Sequence, residues 1–269
     1  MMLKSTPVRW VIFFLVSLLV CGIIAYSYIE PREIVISDLQ AETIALKIAK
    51  NEDTDKRLNL IRWHREENYP ILGLASFIWH SNSENVSEPS FNGFLTHLDQ
   101  SHALPDWLVG VKEPLWGSHE EFLSNSRGEF ENKLRDFLQD TMDEQIQYLI
   151  LKLEAKLPKM LKEVKNPFAK MHVYENFYHV AVQENGVYAL LDYWVFMGDG
   201  ISSGERYNNQ GWGLLHVLEN TKGDSDNLVQ TFVSSAELLL TRRVENAPVD
   251  ERKFLHEWRR RLHTYVYVP

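Results

Sequence analysis

Cysteine is almost absent from this sequence. The only one among 269 residues is Cys21, which lies inside an apolar segment. A chain with one cysteine forms no internal disulfide, and a thiol in apolar surroundings is not activated as a nucleophile or ligand. Thiol catalysis and cysteine metal sites are therefore excluded for the rest of the chain.

Several motifs that mark catalytic or cofactor sites are also missing. There is no H-E-x-x-H, the ten histidines show no compact metal-ligand spacing, and no G-x-S-x-G marks a serine nucleophile. The glycines of residues 198–213 do not have the dinucleotide-binding spacing, and the oxygen ligands of a calcium loop are not at alternate positions. We expect no metal and no cofactor.

Basic residues are fewer than acidic ones. The chain has 28 Lys and Arg against 37 Asp and Glu, a formal net charge of −9. This balance argues against a nucleic-acid partner, because phosphate would be repelled. The one compact basic cluster, residues 259–261, lies in a helical pattern. We interpret it as the solvated face of a terminal helix, with an anion site as the alternative.

One long hydrophobic run is present, at residues 8–29, and Arg9 is its only charge. A helix of this length would reach about 33 Å, enough to cross a hydrocarbon core of about 30 Å. Basic residues precede the run, so the N-terminus is predicted to be cytoplasmic. We predict a signal anchor at residues 1–29 in the cell inner membrane, with a periplasmic C-terminal domain. Signal cleavage near Ser27, giving a secreted protein, and lipid attachment at Cys21 are alternatives.

Helical signals dominate the rest of the chain. Capping boxes are predicted for Ser37 with Gln40, Ser118 with Glu121 and Thr141 with Glu144. Apolar positions in residues 142–156 follow a 3.6-residue period, which predicts an amphipathic helix ending before Pro158. Further helices are predicted near residues 55–66, 91–100, 128–140, 187–197, 209–219, 226–241 and 249–263.

Strand signals are few. Residues 71–80, ILGLASFIWH, predict one or two short strands of a small hairpin, followed by a surface loop at 81–90. Asn185-Gly186 fits either a hairpin turn or a helix C-cap before a new helix from Val187, and the apolar run that follows favours the helix. The predicted fold class is mainly α, of α+β type, with one small β-hairpin.

The densest unusual stretch is residues 192–213, DYWVFMGDGISSGERYNNQGWG. Aromatic faces can stack on a sugar ring and amides can bond to its hydroxyl groups, so Tyr207, Trp212, Asn209 and Gln210 are candidates for binding a neutral polar ligand. A structural glycine loop, whose aromatic side chains cap the core, is the alternative.

The Glu66-Glu67 pair is a second candidate. It ends the run LNLIRWHREE, which we predict to be helical, and aromatic residues surround it in the sequence. A carboxylate at the negative end of a helix dipole would be favoured in its protonated form, as a general acid requires. Surface glutamates at helix ends are also common without any catalytic role.

The order of these features, a helix ending in Glu, a glycine-containing hairpin and a long helical body, resembles the lysozyme-like superfamily. That superfamily includes lytic transglycosylases, phage and goose-type lysozymes, and chitosanases. The segments LGLASFIWH, LPKML, YALLDYWVFMGDG and GERYNNQGWGLLHVLE more closely resemble an uncharacterised family of exported bacterial proteins with that fold, over roughly residues 58–265. The resemblance implies a linker and N-terminal helix at 30–57 and a lysozyme-like domain at 58–269.

The resemblance also implies an activity. A membrane-anchored, periplasm-facing glycan hydrolase or lytic transglycosylase would cleave a β-1,4-linked aminosugar polymer, peptidoglycan or chitosan, with Glu66 as general acid. Asp199, Glu205 and then Asp192 are the candidates for a second carboxylate.

The hairpin and the glycine loop also supply expected glycan contacts. The resemblance places Ser76, Trp79 and Asp192 among the residues that bind the substrate. Ser76 and Asp199, however, stand where relatives commonly carry other residues. An alternative is therefore a catalytically degenerate lysozyme-like domain that binds glycan, or an envelope protein partner, without cleaving anything.

Overall fold

The computed structural model describes residues 32–80, 89–101, 104–223 and 227–267, and these ranges are mainly helical. The helices are α1 (Asp38–Asn51), α2 (Phe91–Gln100), α3 (His119–Asn125), α4 (Glu129–Asp140), α5 (Met142–Glu163), α6 (Pro167–Ala181), α7 (Gly186–Met197), α8 (Leu214–Asn220), α9 (Leu228–Asn246) and α10 (Arg252–His263). The strands are β1 (Ile61–Arg62), β2 (Ile71–Leu72), β3 (Phe77–Ile78), β4 (Arg206–Tyr207) and β5 (Gln210–Gly211).

The segment from Ile34 to the C-terminus forms one compact unit. Among the residues that the structure describes, no helix combines the length and the hydrophobicity needed to cross a bilayer. The predicted anchor at 1–29 lies outside the described residues, and so does the loop predicted at 81–90, apart from its last two residues.

Helix starts follow the predicted caps in two of three places. Ser37 Oγ accepts from Gln40 N at 3.3 Å and Gln40 Oε1 accepts from Ser37 N at 2.9 Å, which closes the predicted capping box of α1. Ser118 also caps α3 through Glu121 N, at 3.2 Å, but the box is not closed there, because Glu121 Oε2 accepts from Gly117 N at 2.8 Å. The prediction at Thr141 is wrong. Its hydroxyl donates to a carbonyl of α4 at 2.8 Å, because α5 begins directly where α4 ends.

The helix predicted at 55–66 is also wrong. A 3-10 turn at Arg57–Leu60 leads into β1, and an irregular loop connects β1 to β2. Ile61 and Trp63 are both buried, which is the two-residue alternation of a strand. The predicted hairpin of β2 and β3 is confirmed, and β1 adds a third antiparallel strand to it.

Two other boundaries test the sequence predictions. The helix α5 continues through Pro158 to Glu163, beyond its predicted end. Leu157 and Met160 are buried within this extension, and their burial offsets the hydrogen bond that proline removes. At Asn185, with φ of 60°, the chain turns from α6 into α7, so the helical interpretation is confirmed over the hairpin.

The two small β elements pack on different helices. Phe77 of β3 lies 5.5 Å from the ring of Phe94 in α2 and 5.6 Å from Tyr148 in α5, measured between ring centroids. The hairpin of β4 and β5 instead lies against α9. This second hairpin occupies the start of the helix predicted at 209–219, so α8 begins only at Leu214.

Candidate functional site

The glycine loop, residues 198–213, connects α7 to α8, and its first carboxylate is buried. Asp199 accepts from Lys156 Nζ of α5 at 2.6 Å and from the backbone N–H of Ile201 at 2.9 Å. Both charged side chains are buried. A buried, hydrogen-bonded ion pair of this kind fixes the loop to the helical body, so Asp199 is already engaged within the fold.

The second carboxylate of the loop has a similar role. The backbone N–H of Gly200 donates a short hydrogen bond to the carboxylate of Glu205. A Cβ at residue 198 would lie 2.1 Å from Glu205 Oε1, and a Cβ at residue 213 would lie 2.3 Å from the nitrogen of Gly200. Glycine is therefore required at both positions because the loop closes tightly over Glu205, which supports the structural interpretation of the glycines.

His216 lies beneath the same loop, and no sequence pattern marks it as part of a site. A Cβ at Gly211 would lie 2.1 Å from its Nε2 atom, so the backbone approaches the ring directly. Burial, followed by the nearby charge of Arg206, lowers the pKa of His216 to about 4. Among the described residues its buried Nδ1 atom has no hydrogen-bond partner. The ring is therefore held neutral inside the loop.

The tip of the glycine loop is the β4–β5 hairpin. Asn208 and Asn209 have φ of 48° and 61°, which is the backbone of a primed two-residue turn, and asparagine tolerates it better than most residues. Asn209 and Gln210 are exposed, and Asn208 donates to Asn246 Oδ1 of α9 at 3.1 Å. The predicted amides of Asn209 and Gln210 are thus available to solvent at this turn.

Arg243 of α9 organises the aromatic residues next to this hairpin. Its guanidinium carbon lies 4.4 Å from the ring centroid of Trp212, 4.7 Å from that of Trp258 and 6.0 Å from that of Tyr207. Glu251 accepts from Arg243 Nε at 2.7 Å and from the Tyr207 hydroxyl at 3.0 Å. The hydrogen bond from Arg243, the leading cause, lowers the pKa of Glu251.

Four rings on this side of the molecule are at least partly exposed, and we call them the aromatic face: Phe196, Tyr207, Phe254 and Trp258. Phe254 and Trp258 are stacked with centroids 5.9 Å apart, and Phe196 meets the edge of Trp258 at 6.5 Å. Trp212 is only 3% exposed. Trp212 therefore packs against the buried side of Tyr207, and its own ring is not accessible to a ligand.

Asp192 lies inside the core, at the centre of a polar network. It accepts from Arg261 Nε at 2.8 Å, from the Tyr265 hydroxyl at 2.6 Å and from Asn51 at 3.2 Å. Burial of Arg261 lowers the pKa of its guanidinium. This effect is outweighed by the hydrogen bond and charge of Asp192 and by the charges of Tyr265 and Glu52, so the pKa is raised overall. Arg261 therefore points inward, which corrects our interpretation of residues 259–261 as a wholly solvated cluster.

The network continues from Arg261 to the small sheet. Arg261 Nη2 donates to Glu52 Oε1 at 2.6 Å, and Arg62 Nη1 donates to the backbone carbonyl of Glu52 at 3.0 Å. Arg62 Nη2 also donates to Ser76 Oγ at 2.6 Å. Ser76 and Asp192, predicted from separate motifs, are thus connected through Glu52. The sequence marked the start of α1 but gave no reason to select Glu52 at its C-cap.

Glu66 does not have the environment that we expected. It lies in the exposed loop between β1 and β2, so the premise of a helix C-terminus is wrong. Within the described part of the chain it forms no hydrogen bond or ion pair with any other candidate residue. Trp79 is fully buried, with its ring centroid 4.9 Å from Phe91, and is inaccessible to a ligand in this conformation.

Histidine and carboxylate side chains in the described ranges form no group of three or more that could hold a metal ion. No protein-family model matches the sequence, and no curated protein or solved structure matches it either. Fold and site together define a class: a mainly helical domain with two small β elements, an inward-facing carboxylate network and a partly exposed aromatic face. The resemblance to the lysozyme-like superfamily stays a prediction.

Proposed function

We propose that this domain is a glycan-binding module of the cell envelope, which holds a β-1,4-linked aminosugar polymer on the aromatic face. The observation that carries the proposal is the ordering of the exposed rings around two guanidinium groups. Arg243 lies against Tyr207 and Trp258, and Arg261 lies 4.2 Å from the ring centroid of Phe196. Rings fixed in this way lose little freedom when a sugar stacks on them.

The exposed amides of the β4–β5 hairpin complement these rings. Asn209 and Gln210 are solvent-accessible and lie on the same hairpin as Tyr207. An amide provides both donors and acceptors, which suits the hydroxyl and acetamido groups of an aminosugar. A stacked ring beside hydrogen-bonding amides is an arrangement suited to sugar recognition.

The state of the carboxylates favours binding over cleavage. A glycosidase needs one carboxyl group to protonate the leaving oxygen and usually a second to act on the opposite side of the sugar. Asp199 and Asp192 are buried against Lys156 and Arg261, and Glu205 bonds to its own loop. These carboxylates hold the structure together, and within the described residues Glu66 forms no hydrogen bond or ion pair with any of them.

The test is cosedimentation of the protein with purified, insoluble peptidoglycan. Tyr207→Ala should weaken binding roughly tenfold, because an aromatic stack contributes about 0.5–1.5 kcal/mol beyond the buried area. Tyr207→Phe, which keeps the ring, and Glu66→Gln should bind like wild type. Phe168→Ala is the matched control, because Phe168 is 85% exposed but lies on α6. Equal binding by Tyr207→Ala and wild type would show that the glycan does not bind to the aromatic face, contrary to the proposal.

Glycan cleavage by Glu66 stays a prediction, and a zymogram tests it separately. Wild type and Glu66→Gln are compared on peptidoglycan and on chitosan. Clearing by wild type alone would support the hydrolase or lytic transglycosylase, whereas equal inertness on both polymers would leave glycan binding as the function.

A further inference from the structure

We infer that the glycan bound by the aromatic face is anionic, with acidic substituents that contact Lys253 and Arg259. This inference rests on the proposed glycan-binding function and specifies its ligand. The charge close to the aromatic face differs from the net charge of the whole chain. A net charge of −9 would on its own favour a cationic polymer such as chitosan.

The helix α10, which carries Phe254 and Trp258, is locally basic. Arg252, Lys253, Arg259 and Arg260 are all exposed on it, and Glu257 is its one acidic residue. Interactions between exposed charges decay over a Debye length of about 10 Å at 0.1 M salt. A ligand on the aromatic face therefore experiences these nearby cations more strongly than distant acidic residues. The two acidic residues just before α10 are already paired, Glu251 with Arg243 and Asp250 with Arg252.

Two of these cations form no salt bridge within the described ranges, although Asp250 lies near enough to Lys253 to feel its charge. Lys253 Nζ lies 4.9 Å from the ring centroid of Phe254, and Arg259 Nη2 donates to the neutral hydroxyl of Thr241 at 3.1 Å. The other two exposed cations of α10, Arg252 and Arg260, pair with exposed carboxylates, which are weakly held and exchange readily with a ligand.

The positions of the two unpaired cations match the stacked rings. Phe254 and Trp258 are four residues apart on one face of α10, a separation of about 6 Å along the helix axis. Lys253 directly precedes the first ring and Arg259 directly follows the second. Successive helix residues are about 100° apart around the axis, so Lys253 and Arg259 flank the two rings on opposite sides. A sugar chain stacked on both rings would therefore have a cation on either side, which suits acidic substituents on the polymer.

The experiment compares three soluble oligosaccharides with one β-1,4 aminosugar backbone and different charges: carboxymethylated chitin (anionic), chitin (neutral) and chitosan (cationic). Binding to the full-length chain in a neutral detergent is measured by calorimetry at low and high salt. We expect the anionic oligosaccharide to bind tightest and the cationic one weakest, with the difference shrinking as salt rises.

Single substitutions test whether Lys253 and Arg259 cause the preference for the anionic oligosaccharide. Lys253→Gln and Arg259→Gln should each weaken binding of the anionic oligosaccharide about one-and-a-half- to fivefold and leave the neutral one unchanged. Lys162→Gln, at an exposed lysine of α5, is the matched control and should have no effect. Phe254→Ala should weaken binding of both the anionic and the neutral oligosaccharide, and that of the anionic one at least as much, because Lys253 also packs against this ring.

The possible outcomes distinguish failure of the anionic-ligand inference from failure of the proposed glycan-binding function. Equal, salt-independent binding of all three oligosaccharides would overturn the anionic ligand and leave glycan binding intact. Binding of none of them would overturn the proposed function itself. Tighter binding to phosphatidylglycerol vesicles than to carboxymethylated chitin, through the same two cations, would replace the glycan by an anionic lipid surface and overturn the inference.

Discussion

Replacing Asp192 should destabilise the domain more than any exposed substitution. The side chain is 0% exposed and accepts hydrogen bonds from Arg261, Tyr265 and Asn51. In Asp192→Ala the guanidinium of Arg261 keeps Glu52 but loses its inner partner, and the buried Tyr265 hydroxyl loses its acceptor. Breaking a buried pair in this way costs about 3–5 kcal/mol, and about 1–3 kcal/mol is typical for an orphaned neutral donor.

We therefore expect the free energy of unfolding to fall by about 4 kcal/mol, a large part of the 5–15 kcal/mol typical of a domain. The assay is urea denaturation of a fragment that begins at Arg32, followed by tryptophan fluorescence. Asp192→Ala combined with Arg261→Met should recover part of the loss, because the buried charge is removed as well.

The matched control is Asp250→Ala. Asp250 also pairs with an arginine, Arg252, but both side chains are exposed, and we expect little change in stability. A loss below about 1 kcal/mol in Asp192→Ala, or the same loss in both variants, would refute the reasoning that the network holds α10 to the core.

Three further predictions concern titration and packing. Burial raises the pKa of Tyr188 to about 12 and that of Tyr265 well above its usual value, so above pH 10 the unfolded chain releases protons that the folded chain keeps. Denaturation curves should show stability falling with rising pH, by up to about 1.4 kcal/mol per pH unit for each tyrosine. The lowered pKa of His216 makes stability depend on pH in the opposite direction. Between pH 6.5 and about pH 4 only the unfolded chain gains a proton at this residue, so stability falls as the pH falls. His216→Leu should weaken this acid-side dependence of stability on pH. Gly211→Ala should cost about 1–3 kcal/mol by thermal unfolding, whereas Gly204→Ala, whose Cβ meets nothing closer than 3.7 Å, should be tolerated.

Local signals in the sequence predicted part of the local structure. The capping box of Ser37 and the Asn185-Gly186 turn depend on side-chain hydrogen bonds and backbone preferences within a few residues, and both are confirmed. Pro158 is an instance where the local rule fails, because apolar residues beyond it pack on the core and extend the helix.

The candidate site was less predictable because it depends on contacts between distant segments. The apolar residues before Glu66 fit a helical period and a strand alternation almost equally well, and only the pairing of β1 with β2 decides between them. The aromatic residues of the glycine loop could be identified from the sequence. Their partners Arg243 and Trp258 could not, since nothing in residues 198–213 indicates which helix packs against the loop.

The most direct test of glycan binding by the aromatic face is an NMR titration of the ¹⁵N-labelled fragment with soluble peptidoglycan oligosaccharides. We predict that the largest shifts of backbone amide signals occur in residues 206–211 and 252–259, and that Tyr207→Ala reduces them. Shifts confined to the β1–β2 loop around Glu66, or no shifts at millimolar ligand, would contradict it.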